Sequence, residues 1–143
     1  MKLIHCADIH LDSPMQTHMT AQQASVRNTE MLQSFVRLTE FAQERAVRAV
    51  LIAGDLFDGA RVRARTVDAL LAAIRRTPEV DYLYLPGNHD EAANAFCDCA
   101  LPGNLKLFGK TWSTVQYDGI AISGAQLGLD AAFYEALPHT DGA

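Results

Sequence analysis

Apolar residues along the chain fall into two kinds of run. Residues 2–7 form a short apolar run that stops abruptly at Asp8, and the run reads as a buried strand. Residues 49–53 (Ala-Val-Leu-Ile-Ala) are apolar at every position, as a central parallel strand should be, and end at Gly54-Asp55. Residues 82–85 repeat the pattern and end at Pro86-Gly87-Asn88. Between these runs the period changes. Met31, Leu32, Phe35, Leu38, Ala42 and Ala46 recur at helical spacing with charged residues between them, which predicts an amphipathic helix over residues 29–48. Val67, Leu70, Leu71 and Ile74 predict a second helix over residues 63–76, stopped by Thr77-Pro78. Residues 12–24 are polar and mixed, and read as loop with a short helix at most.

The order strand, helix, strand, helix, strand gives three parallel neighbours in an α/β layer. The later part changes character. Residues 105–108 predict another short strand. Residues 114–117 and 120–123 flank Asp118-Gly119, a strong hairpin signal. An antiparallel pair after a parallel layer suggests a second sheet, and so a β-sandwich with helices outside. Residues 131–137 suit a short helical turn, and residues 138–143 read as an ending in mid-fold. The expected class is therefore α/β, an incomplete β-sandwich flanked by helices, formed by residues 1–143 as part of a single domain.

Composition narrows this picture. With 49% hydrophobic and 20% charged residues in 143, a packed core is expected and disorder is not. No apolar run approaches the roughly 20 residues of a membrane span. The start runs into a polar loop within a few residues and lacks the apolar stretch of a signal peptide. Cys6, Cys97 and Cys99 read as reduced thiols, which points to the cytoplasm. Cys97-Asp98-Cys99 is too tight for a zinc knuckle without further ligands nearby. The net charge of −5 is not the basic footprint of a duplex-binding module. Bound divalent ions would supply positive charge at a phosphate regardless.

The chemistry gathers where strands end. Asp8-Ile9-His10 places a carboxylate and an imidazole two residues apart, Gly54-Asp55 adds a second carboxylate, and Gly87-Asn88-His89-Asp90 adds an amide oxygen, an imidazole and a further carboxylate. In open α/β sheets, ligands bind outside the carboxyl ends of the strands, so three distant segments should meet at one edge. Taken singly, each has a plainer reading. An Asp after a strand often caps a helix or closes a turn. Asp58 could be a helix-entry cap ahead of Ala60. The joint occurrence of the three clusters is what favours a metal centre. Mixed oxygen and imidazole donors suit Mn, Fe or Zn better than Mg or Ca alone. Two ions about 3.5–4 Å apart need a bridging carboxylate, and Asp55 on the middle strand is the natural bridge.

These motifs resemble the calcineurin-like metallophosphoesterase superfamily. The fuller wording, residues 3–12 (LIHCADIHLD), 53–58 (AGDLFD) and 85–90 (LPGNHD), is similar to the SbcD-like DNA-repair exonucleases. Asp12-Ser13-Pro14 resembles an uncharacterised bacterial branch of that group. The resemblance implies two divalent ions, with Mn first among Mn, Fe, Zn and Mg. It implies that Asp8 and His10 bind the first ion, that Asp55 bridges both and that Asn88 binds the second. His89 would protonate the leaving oxygen or steady the phosphate, Asp58 would hold His89, and Asp90 would support the ligands from behind. It also implies DNA as substrate, with a homodimer and a coiled-coil ATPase as partners. The superfamily's two downstream histidine motifs have no counterpart here, which is the departure expected of a truncated domain with weak activity. His139, in a loop, is a poor replacement, and His5 reads as a strand residue. Three functions follow: a two-metal DNA nuclease, a phosphatase or small-molecule phosphodiesterase on the same metal core, and a non-catalytic scaffold.

Overall fold

The computed structural model of the chain describes residues 1–15, 19–58, 62–87, 96, 99–126 and 131–138. The elements are β1 (Leu3–Cys6), α1 (Ala21–Glu44), β2 (Ala49–Ala53), α2 (Ala64–Arg75), β3 (Asp81–Leu85), β4 (Leu105–Leu107), β5 (Ser113–Tyr117), β6 (Ile120–Gly124) and α3 (Ala131–Glu135). β1 to β4 form a four-stranded sheet in chain order, every pair parallel. β5 and β6 form a separate antiparallel hairpin turned at Asp118-Gly119, where Gly119 supplies the left-handed conformation with φ 74°.

Side-chain alternation along the strands divides the core in two. On one face Val50, Ile52, Tyr82 and Tyr84 meet Phe35 of α1 and Leu70 of α2 in the larger cluster. On the other, Ala49, Leu83 and Phe108 meet Val115, Tyr117 and Ile122 of the hairpin. β2 and β3 are covered on both faces, which is why β2 is apolar throughout and β3 is apolar after Asp81. The arrangement is a mixed α/β layering, with helices on one side of the parallel sheet and the hairpin on the other.

The main difference from the expected elements is α1, which starts eight residues earlier. Thr20 and Gln23 form a capping box: Gln23 N donates to the Thr20 hydroxyl at 3.2 Å, and Thr20 N donates to Gln23 Oε1 at 2.8 Å. The first turns carry little apolar content, so periodicity misses them while the cap holds them. The helix also ends earlier, because Ala46 turns left-handed (φ 50°) and Arg48 N donates to Lys2 O at 2.9 Å, starting the sheet. Among the described residues no helix is long and apolar enough to cross a membrane.

At the amino-terminal edge of the sheet, Asp81 ties the hairpin to the parallel layer. Its carboxylate accepts from Tyr117 Oη at 2.9 Å and lies 3.3 Å from Arg48 and 3.4 Å from Lys106. Burial, and then the neighbouring Asp81 carboxylate, push the Tyr117 hydroxyl well above its ordinary range, so it stays a donor. Gly124 brings the hairpin close to the sheet. A Cβ there would sit 2.6 Å from the Phe108 ring. Gly124→Ala is therefore expected to destabilise the chain by about 1–3 kcal/mol in urea unfolding; an unchanged midpoint would show that the hairpin has room to shift.

Candidate metal centre

The backbone brings the motifs together beyond the strand ends. Parallel pairing of β1 with β2 continues past both strands: Asp8 N donates to Gly54 O at 3.3 Å, His10 N to Asp55 O at 2.9 Å and Leu11 N to Leu56 O at 2.9 Å. Asp58 N returns a bond to Leu11 O at 3.1 Å, and Leu11 pairs with Phe57 in an isolated parallel bridge. Gly54 N donates to Leu85 O at 2.8 Å, so the end of β3 is held to the same rim. Leu11, Leu56 and Phe57 are almost fully buried beneath this extension. Apolar side chains anchor both loops from below while their polar neighbours stay at the surface.

Asp8, His10 and Asp55 meet there. Each offers a ligand atom, and the three atoms lie within 4.8 Å of one another. His10 Nε2 is 3.8 Å from Asp8 Oδ1. Two carboxylates and an imidazole form a donor set that fits a first-row divalent cation, and each side chain is open enough to reach an ion, Asp8 being mostly exposed and His10 half-buried.

The backbone at these positions is unusual. Asp8 (φ 54°), His10 (φ 49°), Asp12 (φ 61°) and Asp55 (φ 50°) are all left-handed. Asp and His tolerate this region better than most residues, yet each instance costs on the order of 1 kcal/mol or more and survives only where the surroundings enforce it. Here the inter-loop hydrogen bonds and the buried Leu11 and Phe57 do so. Gly54 (φ 88°) and Gly87 complete the construction. A Cβ on Gly87 would overlap Asp55 Oδ1 and sit 2.7 Å from Asp55 N. A side chain at 87 would therefore displace the central carboxylate.

Asp12 braces the first loop from the side. Its carboxylate accepts from Arg63 N at 2.7 Å and Nε at 2.8 Å, and from the second guanidinium nitrogen. Burial pushes the Asp12 carboxyl up, but the Arg63 and Thr66 hydrogen bonds together hold it below the ordinary carboxylate range. Asp12 thus links the loop after β1 to the start of α2 as a structural ion pair.

Of the residues singled out in the sequence, Asp8, His10 and Asp55 converge. Asp58 lies at their flank, 3.9 Å from His10 Nδ1, with its Oδ2 accepting from Ser13 Oγ at 2.6 Å. Asn88, His89, Asp90 and His139 lie outside the described residues, as does the expected contact between Asp58 and His89. His5 is an exposed strand residue of β1. Cys6 and Cys99 are thiols. Ser13 and Gly87 received no role from the sequence. Gly87 could have been flagged by its place between a strand and a ligand-type residue, where close backbone approach calls for glycine. Ser13 gave no such signal.

Gly87→Ala is expected to weaken Mn binding roughly 10-fold or more, since outer positions that orient ligands carry effects of that size. Thermal stability should change far less. Titration of Mn monitored by electron paramagnetic resonance checks this, and equal affinity in the two proteins would show that Asp55 is free to move aside.

Comparison with known proteins agrees with this geometry. The calcineurin-like phosphoesterase family model matches residues 1–133. The DNA double-strand break repair protein Mre11 of Methanopyrus kandleri is 30% identical over 95 residues, covering 63% of this chain and 19% of that protein. The chain thus spans about a fifth of the length of this curated relative. With divalent-metal donors gathered on the rim and the match running over nearly all of its length, the chain belongs to the calcineurin-like phosphoesterase family.

Proposed function

We propose that the chain carries the first part of a two-metal phosphodiesterase centre that acts on DNA. The observation that carries this reading is the approach of Asp8, His10 and Asp55 to within 4.8 Å on one rim. The likeness to a relative named as a double-strand break repair protein favours a nuclease. In this reading Asp8 and His10 would hold one ion, Asp55 would be shared by both and Asn88 would hold the second. When bound, such a pair supplies Lewis acidity and a water of lowered pKa for in-line phosphoryl displacement.

The protein's own groups do the rest. Asp55, fixed by its backbone and by Gly87, sets the spacing of the donors. His89 steadies the phosphate or gives a proton to the leaving oxygen, Asp58 holds His89, and Asp90 supports the ligands from behind. Manganese is the occupant that the family resemblance implies, and carboxylate oxygens with an imidazole can bind it. The downstream histidine ligands of the superfamily have no counterpart in the 143 residues. Weak metal binding and poor turnover are therefore expected of the chain by itself.

The test is Mn-dependent cleavage of end-labelled DNA, by the chain alone and by any longer natural protein that contains it. Cleavage that falls by roughly 100-fold in Asp55→Asn is expected, because the developing charge loses its shared anchor. Hydrolysis of nitrophenyl phosphates with DNA left intact would instead indicate a phosphatase on the same core. Silence toward both substrates from a longer natural protein that contains the chain would indicate a scaffold. Robust turnover by the 143 residues alone would contradict the incomplete ligand set.

A further inference from the structure

The Asp12-Ser13-Pro14 segment is a sequence motif that the proposed centre does not use. Asp12 is accounted for by its ion pair with Arg63. Ser13 is held more tightly than an ordinary loop serine. Its backbone N donates to His10 O at 3.2 Å, and its carbonyl accepts from Asn28 Nδ2 of α1 at 3.0 Å. Its hydroxyl accepts from Met15 N at 3.4 Å and lies 2.6 Å from Asp58 Oδ2. An ionised carboxylate only accepts, so the serine hydrogen goes to Asp58. The backbone N–H of Met15 takes up one of the oxygen's lone pairs. The hydroxyl therefore has one orientation, and Asp58 Oδ2 is fixed by it.

That oxygen lies 3.9 Å from His10 Nδ1, while His10 Nε2 lies 3.8 Å from Asp8 Oδ1. The two ring nitrogens face different partners. A neutral imidazole has one N–H and one lone pair. Both carboxylates compete for that proton, but Asp8 is mostly exposed to water while Asp58 is the more buried and is pinned by Ser13. Asp58 therefore draws the proton to Nδ1 and leaves Nε2 as the ligand atom, the arrangement that fixes tautomer and ring direction in metal-binding histidines. At 3.9 Å the Asp58–His10 pair is an electrostatic approach in a half-buried setting, close enough for the carboxylate to bias which nitrogen carries the proton.

We infer that Ser13 and Asp58 are positioning residues for His10: the serine hydroxyl locks the Asp58 carboxylate, which keeps the proton on Nδ1 and presents Nε2 to the cation beside Asp8 and Asp55. This rests on the metal role proposed for His10. It gives Asp58 a partner within its own loop system besides the histidine at position 89.

The test reads the tautomer directly, with no metal present. Long-range proton–nitrogen correlation spectra of the ¹⁵N-histidine-labelled chain, recorded above the imidazole titration range, report which nitrogen of His10 carries hydrogen. His10 is assigned by His10→Gln. The wild type is expected in the Nδ1–H form. Asp58→Asn and Ser13→Ala should each shift it toward Nε2–H. Ser13→Thr, which keeps the hydroxyl, should restore the wild-type spectrum. Mn affinity should fall roughly 10-fold in Asp58→Asn, by less in Ser13→Ala, and recover in Ser13→Thr. Circular dichroism of each variant confirms that it is folded, and Ser13→Ala removes a single oxygen should Asp58→Asn fail to fold. A wild-type His10 protonated on Nε2 would overturn the inference. So would a tautomer, or an Mn affinity, that stays unchanged when the hydroxyl is removed. Absence of DNA cleavage by a longer natural protein that contains the chain, alongside the expected tautomer shifts, would count against the nuclease reading and leave the positioning pair standing.

Discussion

The site depends on parallel backbone pairing that does not stop where the strands stop. Three inter-loop bonds, from Asp8, His10 and Leu11 to Gly54, Asp55 and Leu56, carry the β1–β2 ladder into the functional loops. Without them Asp8 and His10 would hang on a free loop, and their ordering would fall on the cation. Loop residues lose about 1–2 kcal/mol of backbone entropy each when fixed. In this chain that cost is met during folding, by burying Leu11 and Phe57. The donors are preorganised because buried Leu11, Leu56 and Phe57 anchor the two loops that carry them.

The same pairing explains the strained backbone. A regular extended strand through Asp8, Ile9 and His10 would send the chain on across the sheet. Left-handed residues at 8, 10 and 12 fold it over the rim instead, with Asp12 caught by Arg63 at the start of α2. Asp55 makes the matching turn after β2, immediately behind Gly54. Four of the six non-glycine positions with positive φ among the described residues lie within or beside one candidate site, a pattern that points from structure to function. Gly87 serves the same end by being small: its missing side chain is the space that the Asp55 carboxylate occupies.

Much of this was legible in the residues. Unbroken apolar runs at 49–53 and 82–85 identify central strands, and the polar residues that follow identify the rim. The hairpin announces itself through Asp118-Gly119. The first two turns of α1 escape the apolar periodicity, although Thr20 followed three residues later by Gln23 is itself a capping-box signature. Backbone strain was hidden, since Asp and His at a strand end look the same in either conformation. The placement of Ser13 depends on Asp58, 45 residues away in sequence, and on Asn28 of α1. Long-range contacts of that kind leave no local trace. Substrate was the least legible feature, because the metal-binding rim sets the chemistry while surrounding surfaces choose the molecule.

Anomalous diffraction from Mn-soaked crystals of the chain addresses the central claim most directly. A peak bonded to the side chains of Asp8, His10 and Asp55 at the end of β1 and β2 is the predicted result. A well-occupied ion held elsewhere, with those three side chains turned away from one another, would contradict it.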